Sequence, residues 1–94
     1  MDYVLYKSPI SPETLKIVRY LHSLGKDARP ASIVERNHPP QAQELPSIHD
    51  KNTGEWYVGL QRCCEYYETV TGLSNVLSAS TAFAESGEYR INGL

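Results

Sequence analysis

VLYKSPISPETLKIVRYL, residues 4–21, passes from strand chemistry to helix chemistry within a few positions. With Tyr3 just before it, its apolar opening makes the run Tyr3 to Tyr6, which is rich in β-branched and aromatic residues and predicts a first strand. Ser8 to Ser11 is a proline-punctuated turn that stops it. From Pro12 to Leu24 the apolar residues Ile17, Val18, Leu21 and Leu24 recur at three- and four-residue steps. Lys16, Arg19 and Ser23 lie off that face, so an amphipathic helix is predicted. Ser11 suits its N-cap, Pro12 its first position and Glu13 the positive end of its dipole, with Thr14 inside the first turn. Gly25 supplies the stop.

Working outward, Ala31 to Glu35 predicts a second short strand, and Asn37 to Glu44, with Pro39 and Pro40, can hold at most a short helix. Leu45 to His49 and Glu55 to Val58 flank the turn-rich Lys51 to Gly54 and predict a hairpin. Leu60, Cys63, Cys64, Tyr67 and Val70 then mark one face of a closing helix that Gly72 ends. These elements make residues 1–72 one domain. Residues 73–94 are rich in Ser, Ala, Gly and Asn, and two readings are open for them: a short helix over Val76 to Glu85, or a tail mobile alone and ordered by a partner.

A chain of 94 residues, 40% of them apolar, suits one small core. The net charge is -2 and its basic residues are scattered, which argues against charge-driven nucleic-acid binding. MDYVLYKS reads neither as a signal peptide nor as a membrane span, and a soluble cytoplasmic protein is expected. Cys63 and Cys64 are adjacent, so they cannot staple distant segments. With His22, His38 and His49 they form no zinc spacing, and no metal is expected. Tyr3, Tyr6, Tyr20, Tyr57, Tyr66, Tyr67 and Trp56 are open to two readings, core-edge packing or presentation to a partner.

The order strand, helix, strand, hairpin, helix over about residues 2–72 resembles the thioredoxin fold, and within it the glutaredoxins and the N-terminal domain of glutathione transferases. Residues 4–21 look like the glutaredoxin strand that runs into Cys-Pro-Tyr-Cys, with Ser11 and Thr14 in place of the cysteines and Pro12 retained. Leu45-Pro46-Ser47-Ile48 looks like the family's apolar residue and cis-proline at the start of the third strand. Tyr57 to Arg62 looks like the segment that holds the γ-glutamyl end of glutathione, which implies roles for Gln61 and Arg62. The resemblance implies an α/β, thioredoxin-like fold with glutathione as the small molecule in view.

Ser11 departs from the family where the chemistry happens. Dithiol exchange needs a thiolate and a resolving thiol, and a hydroxyl supplies neither. Some glutathione transferases use a serine here to hold glutathione as its thiolate, but those enzymes also need a helical domain, for which the residues after Gly72 are too few. Three readings follow. The first is a non-catalytic thioredoxin-like module serving as a binding or structural subunit, as in a virus particle, with Phe83, Tyr89 and Ile91 as anchors on a protein partner. The second is glutathione binding through Ser11, Thr14, Leu45, Pro46, Gln61 and Arg62. The third is a thiol role for Cys63 or Cys64.

Overall fold

A computed structural model describes residues 2–25 and 28–85. The elements run β1 (Tyr3–Tyr6), α1 (Pro12–Leu24), β2 (Ser32–Val34), β3 (Ser47–Asp50), β4 (Trp56–Val58), α2 (Leu60–Thr71) and α3 (Val76–Glu85). The four strands form one mixed sheet in the order β2-β1-β3-β4. β1 pairs parallel with β2, and β3 pairs antiparallel with both β1 and β4. The protein is therefore α/β.

Because side chains alternate along a strand, the register sorts the sheet into two faces. Tyr3 and Leu5 share one with Ile48, Ile33 and Tyr57. That face joins Ile17, Val18 and Leu21 of α1, Cys63, Cys64, Tyr66 and Tyr67 of α2 and Val76 of α3 in a single core. Each large side chain fully enclosed there contributes about 1.5 to 3 kcal/mol of transfer free energy. The opposite face carries a pile of rings instead of a helix. Trp56 stacks on His49 at 4.4 Å and on Tyr6 at 5.4 Å between centroids, and His38 meets the edge of Tyr6. The sole tryptophan thus lies between β1 and β3 side chains.

Local chemistry accounts for the boundaries. The Ser11 hydroxyl caps α1 by accepting from the Thr14 amide at 3.4 Å. The hairpin closes on Asp50, whose Oδ1 accepts from the Asn52 and Thr53 amides at 2.8 and 3.2 Å, while Gly54 turns at φ +77°. α2 ends in left-handed Gly72 at φ +74°. β3 begins at Ser47, two residues later than the sequence predicts, because Pro46 has no N–H to pair; the Leu45–Pro46 bond is cis. Asn37 to Glu44 forms no helix. Asn37 sits at φ +59°, and the Ala42 amide closes one turn on Pro39 O.

Two helix faces differ by one position from expectation. Leu24 is 43% exposed, and Thr14 is the enclosed residue at the other end of the α1 stripe. Val70 is also exposed, and Tyr66 is enclosed in its place. Leu24 and Val70 both lie in last turns, beyond the reach of the short strands. Of the two readings for residues 73–94, the helix is what the structure has over Val76–Glu85. α3 packs on α1 and α2, with Val76 and Ser80 fully enclosed, so the packed unit runs past Gly72 to Glu85. Phe83, read from the sequence as an anchor on a partner, lies against Tyr20 of α1, ring centroids 5.8 Å apart. Tyr89 and Ile91 lie outside the described residues. Among the described residues no helix is long and apolar enough to cross a membrane.

Candidate functional site

Register alone brings three of the stretches singled out in the sequence to one end of the sheet. Tyr6 pairs with Ser47 and Ser47 with Val58. The exit of β1, the entry of β3 and the exit of β4 therefore lie side by side. The Gly59 amide donates to Pro46 O at 2.9 Å, which ties the start of α2 to the same end. The loop Lys7 to Ser11, the Leu45–Pro46 step and the N-terminus of α2 are thus neighbours in the fold.

What each side chain does there is less uniform. Ser11 Oγ donates to Thr14 Oγ1 at 2.9 Å while accepting from the Thr14 amide, so the pair is engaged in the helix cap. Thr14 is enclosed and Leu45 exposed. Ile10, between Pro9 and Ser11, is 87% exposed, its amide donating to Ser8 Oγ at 3.3 Å. Gln61 is exposed at the first turn of α2. Arg62 turns away along the flank, 5.9 Å from the Tyr57 ring centroid and 3.6 Å from Glu65. It lines a cleft of about 370 Å³ with Asp50 at the far end of β3, Thr53 of the hairpin turn and Tyr66 of α2. Arg62 does not join Ser11.

Two features at this end carried no sequence signal. Lys7 is buried, and its ammonium donates to Ser8 O at 2.9 Å and to Glu35 Oε2 at 3.1 Å. His38 Nε2 lies 3.0 Å from Lys7 O, so the polar segment after β2 is pinned to the exit of β1. The second feature is Glu44. α2 has no side-chain cap and no acidic residue in its first turn, and its cap residue Gly59 sits at φ +96°, ψ 160°. That region is open essentially to glycine alone. Glu44 Oε2 lies 3.1 Å from where a Cβ at Gly59 would stand. The carboxylate rests against the positive end of α2, where the helix dipole favours an anion.

Both cysteines are free thiols inside the structure. Cys63 Sγ faces two carbonyls, Pro46 O at 3.4 Å and Tyr57 O at 3.5 Å, and donates its proton there. Burial pushes its pKa up to about 12. Burial also raises Cys64, helped by the Glu68 and Glu65 carboxylates. Neither is a thiolate at neutral pH, and neighbours on a helix diverge by about 100°. The three histidines lie apart, and among the described residues no group of three or more His, Cys, Asp or Glu could hold a metal.

The thiols and phenols of the core make stability sensitive to alkali. Burial raises Tyr3, Tyr66 and Tyr67 above the usual phenol range, and for Tyr66 the Asp50 carboxylate adds to it. These groups, like Cys63, release protons more readily unfolded than folded. Their contribution is fully present below the ordinary thiol value of 9.0 and falls as pH rises towards about 12. Urea midpoints are expected to stay level below pH 9 and to drop steadily above it, with Cys63→Ala shallower at the start of the fall. A midpoint flat across that range would refute the assignment.

Comparison with protein-family models, with curated proteins and with solved structures finds no match to this chain.

Proposed function

We propose that the chain is a non-catalytic module of the thioredoxin-like type, acting as a binding or structural subunit of a larger protein assembly. Strand order β2-β1-β3-β4, with β1 parallel to β2 and β3 antiparallel to both neighbours, supports the fold reading. So does a helix after β1 and another after β4. The observation that carries the function is the state of the nucleophiles. Ser11 is engaged in a helix cap and both thiols are enclosed and protonated, so the end of the sheet presents no group able to open a disulfide. In a reductase assay with glutathione and a small disulfide, turnover is expected to equal the uncatalysed rate. Turnover that survives replacement of both cysteines by alanine would sink the proposal.

Glutathione binding is a second reading, favoured by the convergence of the Ser11 loop, Leu45–Pro46 and the α2 N-terminus at one sheet end. Glutathione is expected to shift the amide resonances of residues 10–14, 45–47 and 60–62. Glu44 would compete with a ligand carboxylate for the start of α2. Glu44→Gln is therefore expected to tighten binding about fivefold, the equivalent of about 1 kcal/mol at a helix terminus. No shifts at millimolar glutathione in either protein would remove this reading.

A further inference from the structure

α2 and α3 are in contact and line a groove of about 500 Å³ between them. Leu60 and Leu77 wall it, Leu77 with 38% of its surface exposed, and Cys64 lies on its floor. Glu65 and Glu68 line the α2 side, and no lysine or arginine is among the lining residues. Both carboxylates act on the interior, since they are the charges that raise the Cys64 thiol after burial itself. Glu68 also accepts the Val76 amide at 3.2 Å, which fixes one carboxylate at the mouth of α3. Arg62 touches Glu65 at 3.6 Å, but both side chains are more than half exposed, so this pair leaves most of the negative field in place.

We propose that this groove docks a basic amphipathic helix of a partner protein. From Leu60 to Glu68 the wall is about 12 Å long at 1.5 Å per residue, room for about two turns of a partner helix. An apolar side chain of that helix enters between Leu60 and Leu77. Lysines or arginines three or four positions to either side, on the same helical face, meet Glu65 and Glu68. Charge complementarity selects this occupant over an acidic or a purely apolar one, because the Glu65 and Glu68 carboxylates beside an apolar slot repel the first and gain no counter-charge from the second. The surface is separate from the Ser11 and Pro46 end. It rests on the binding-subunit reading and not on a glutathione pocket, so the two can fail independently.

The test titrates the full chain with an acetylated peptide of about 14 residues, four helical turns, made of leucine and lysine with the leucines on one face. The control carries glutamate for lysine. The lysine peptide is expected to shift the amides of Cys64, Glu65, Leu77 and Ser78 and to lose affinity at high salt. Glu65→Lys is expected to weaken it about tenfold by setting like charges against each other. Leu77→Ala, at an exposed position, is expected to weaken it with the spectrum elsewhere unchanged. Equal binding of the glutamate peptide, undiminished binding to both variants, or shifts centred on residues 10–14 and 45–47 would each overturn the proposal.

Discussion

A chain cut after Gly72 is expected to lose a large part of its stability, because α3 is part of the core and not an appendage to it. Val76 is fully enclosed within the cluster that holds Tyr3, Leu21 and Tyr67, and the Phe83 ring lies on Tyr20. Removing α3 exposes those side chains and the α1 surface beneath them. At about 1.5 to 3 kcal/mol per buried apolar side chain, the loss is on the order of 4 kcal/mol. A domain of this size holds roughly 5 to 14 kcal/mol in all, at 0.05 to 0.15 per residue. The melting temperature should fall by about 15 °C or more, given about 4 to 8 °C per kcal/mol. Val76→Ala separates packing from length and is expected to cost about 2 kcal/mol by itself. A truncated protein that melts with the full chain would show that α3 adds nothing to the core.

Where periodicity is strong the sequence was a sufficient guide. Pro12–Leu24 has a proline at its first turn, a capping serine before it and a glycine after it, and the helix occupies those bounds. The hairpin was legible for the same kind of reason, since Asp50 and Gly54 supply turn chemistry that does not depend on the rest of the chain. Residues 73–85 were ambiguous because their helix is weakly amphipathic in sequence. Val76 and Ser80 are both fully enclosed, but Ser80 does not announce burial and Val76 alone does not mark a face. The candidate site was legible as positions and not as contacts. That Ser11, Pro46 and Gly59 share one end of the sheet follows from strand order. That Arg62 turns onto Tyr57, and Glu44 onto Gly59, depends on side-chain geometry, which spacing does not encode.

The tyrosines at the centre give the sharpest contrast between two superficially similar changes. Tyr3 is 0% exposed, its ring set edgewise against Tyr66 at 5.3 Å and Tyr67 at 5.6 Å, and its hydroxyl donates to Ala28 O at 2.9 Å. Tyr3→Ala empties the middle of the core and is expected to cost about 3 to 5 kcal/mol, the range for removing a large buried ring. Tyr3→Phe keeps the ring but leaves the Ala28 carbonyl without its donor, for about 1 to 3 kcal/mol. Tyr67 is as deeply enclosed, but its hydroxyl makes no close hydrogen bond: the polar group beside it is the Tyr3 oxygen, which can accept from it while the Tyr3 proton is directed at Ala28 O. A weakly paired, enclosed hydroxyl adds little to the folded state, since burying it costs about what the long contact returns. Tyr67→Phe opens no cavity and removes only a long contact, so it is expected to change stability by less than about 1 kcal/mol. Urea unfolding followed by the fluorescence of Trp56 measures all three on one scale. The assignment fails if Tyr67→Phe destabilises as much as Tyr3→Phe, since the Tyr67 hydroxyl would then have a partner worth losing.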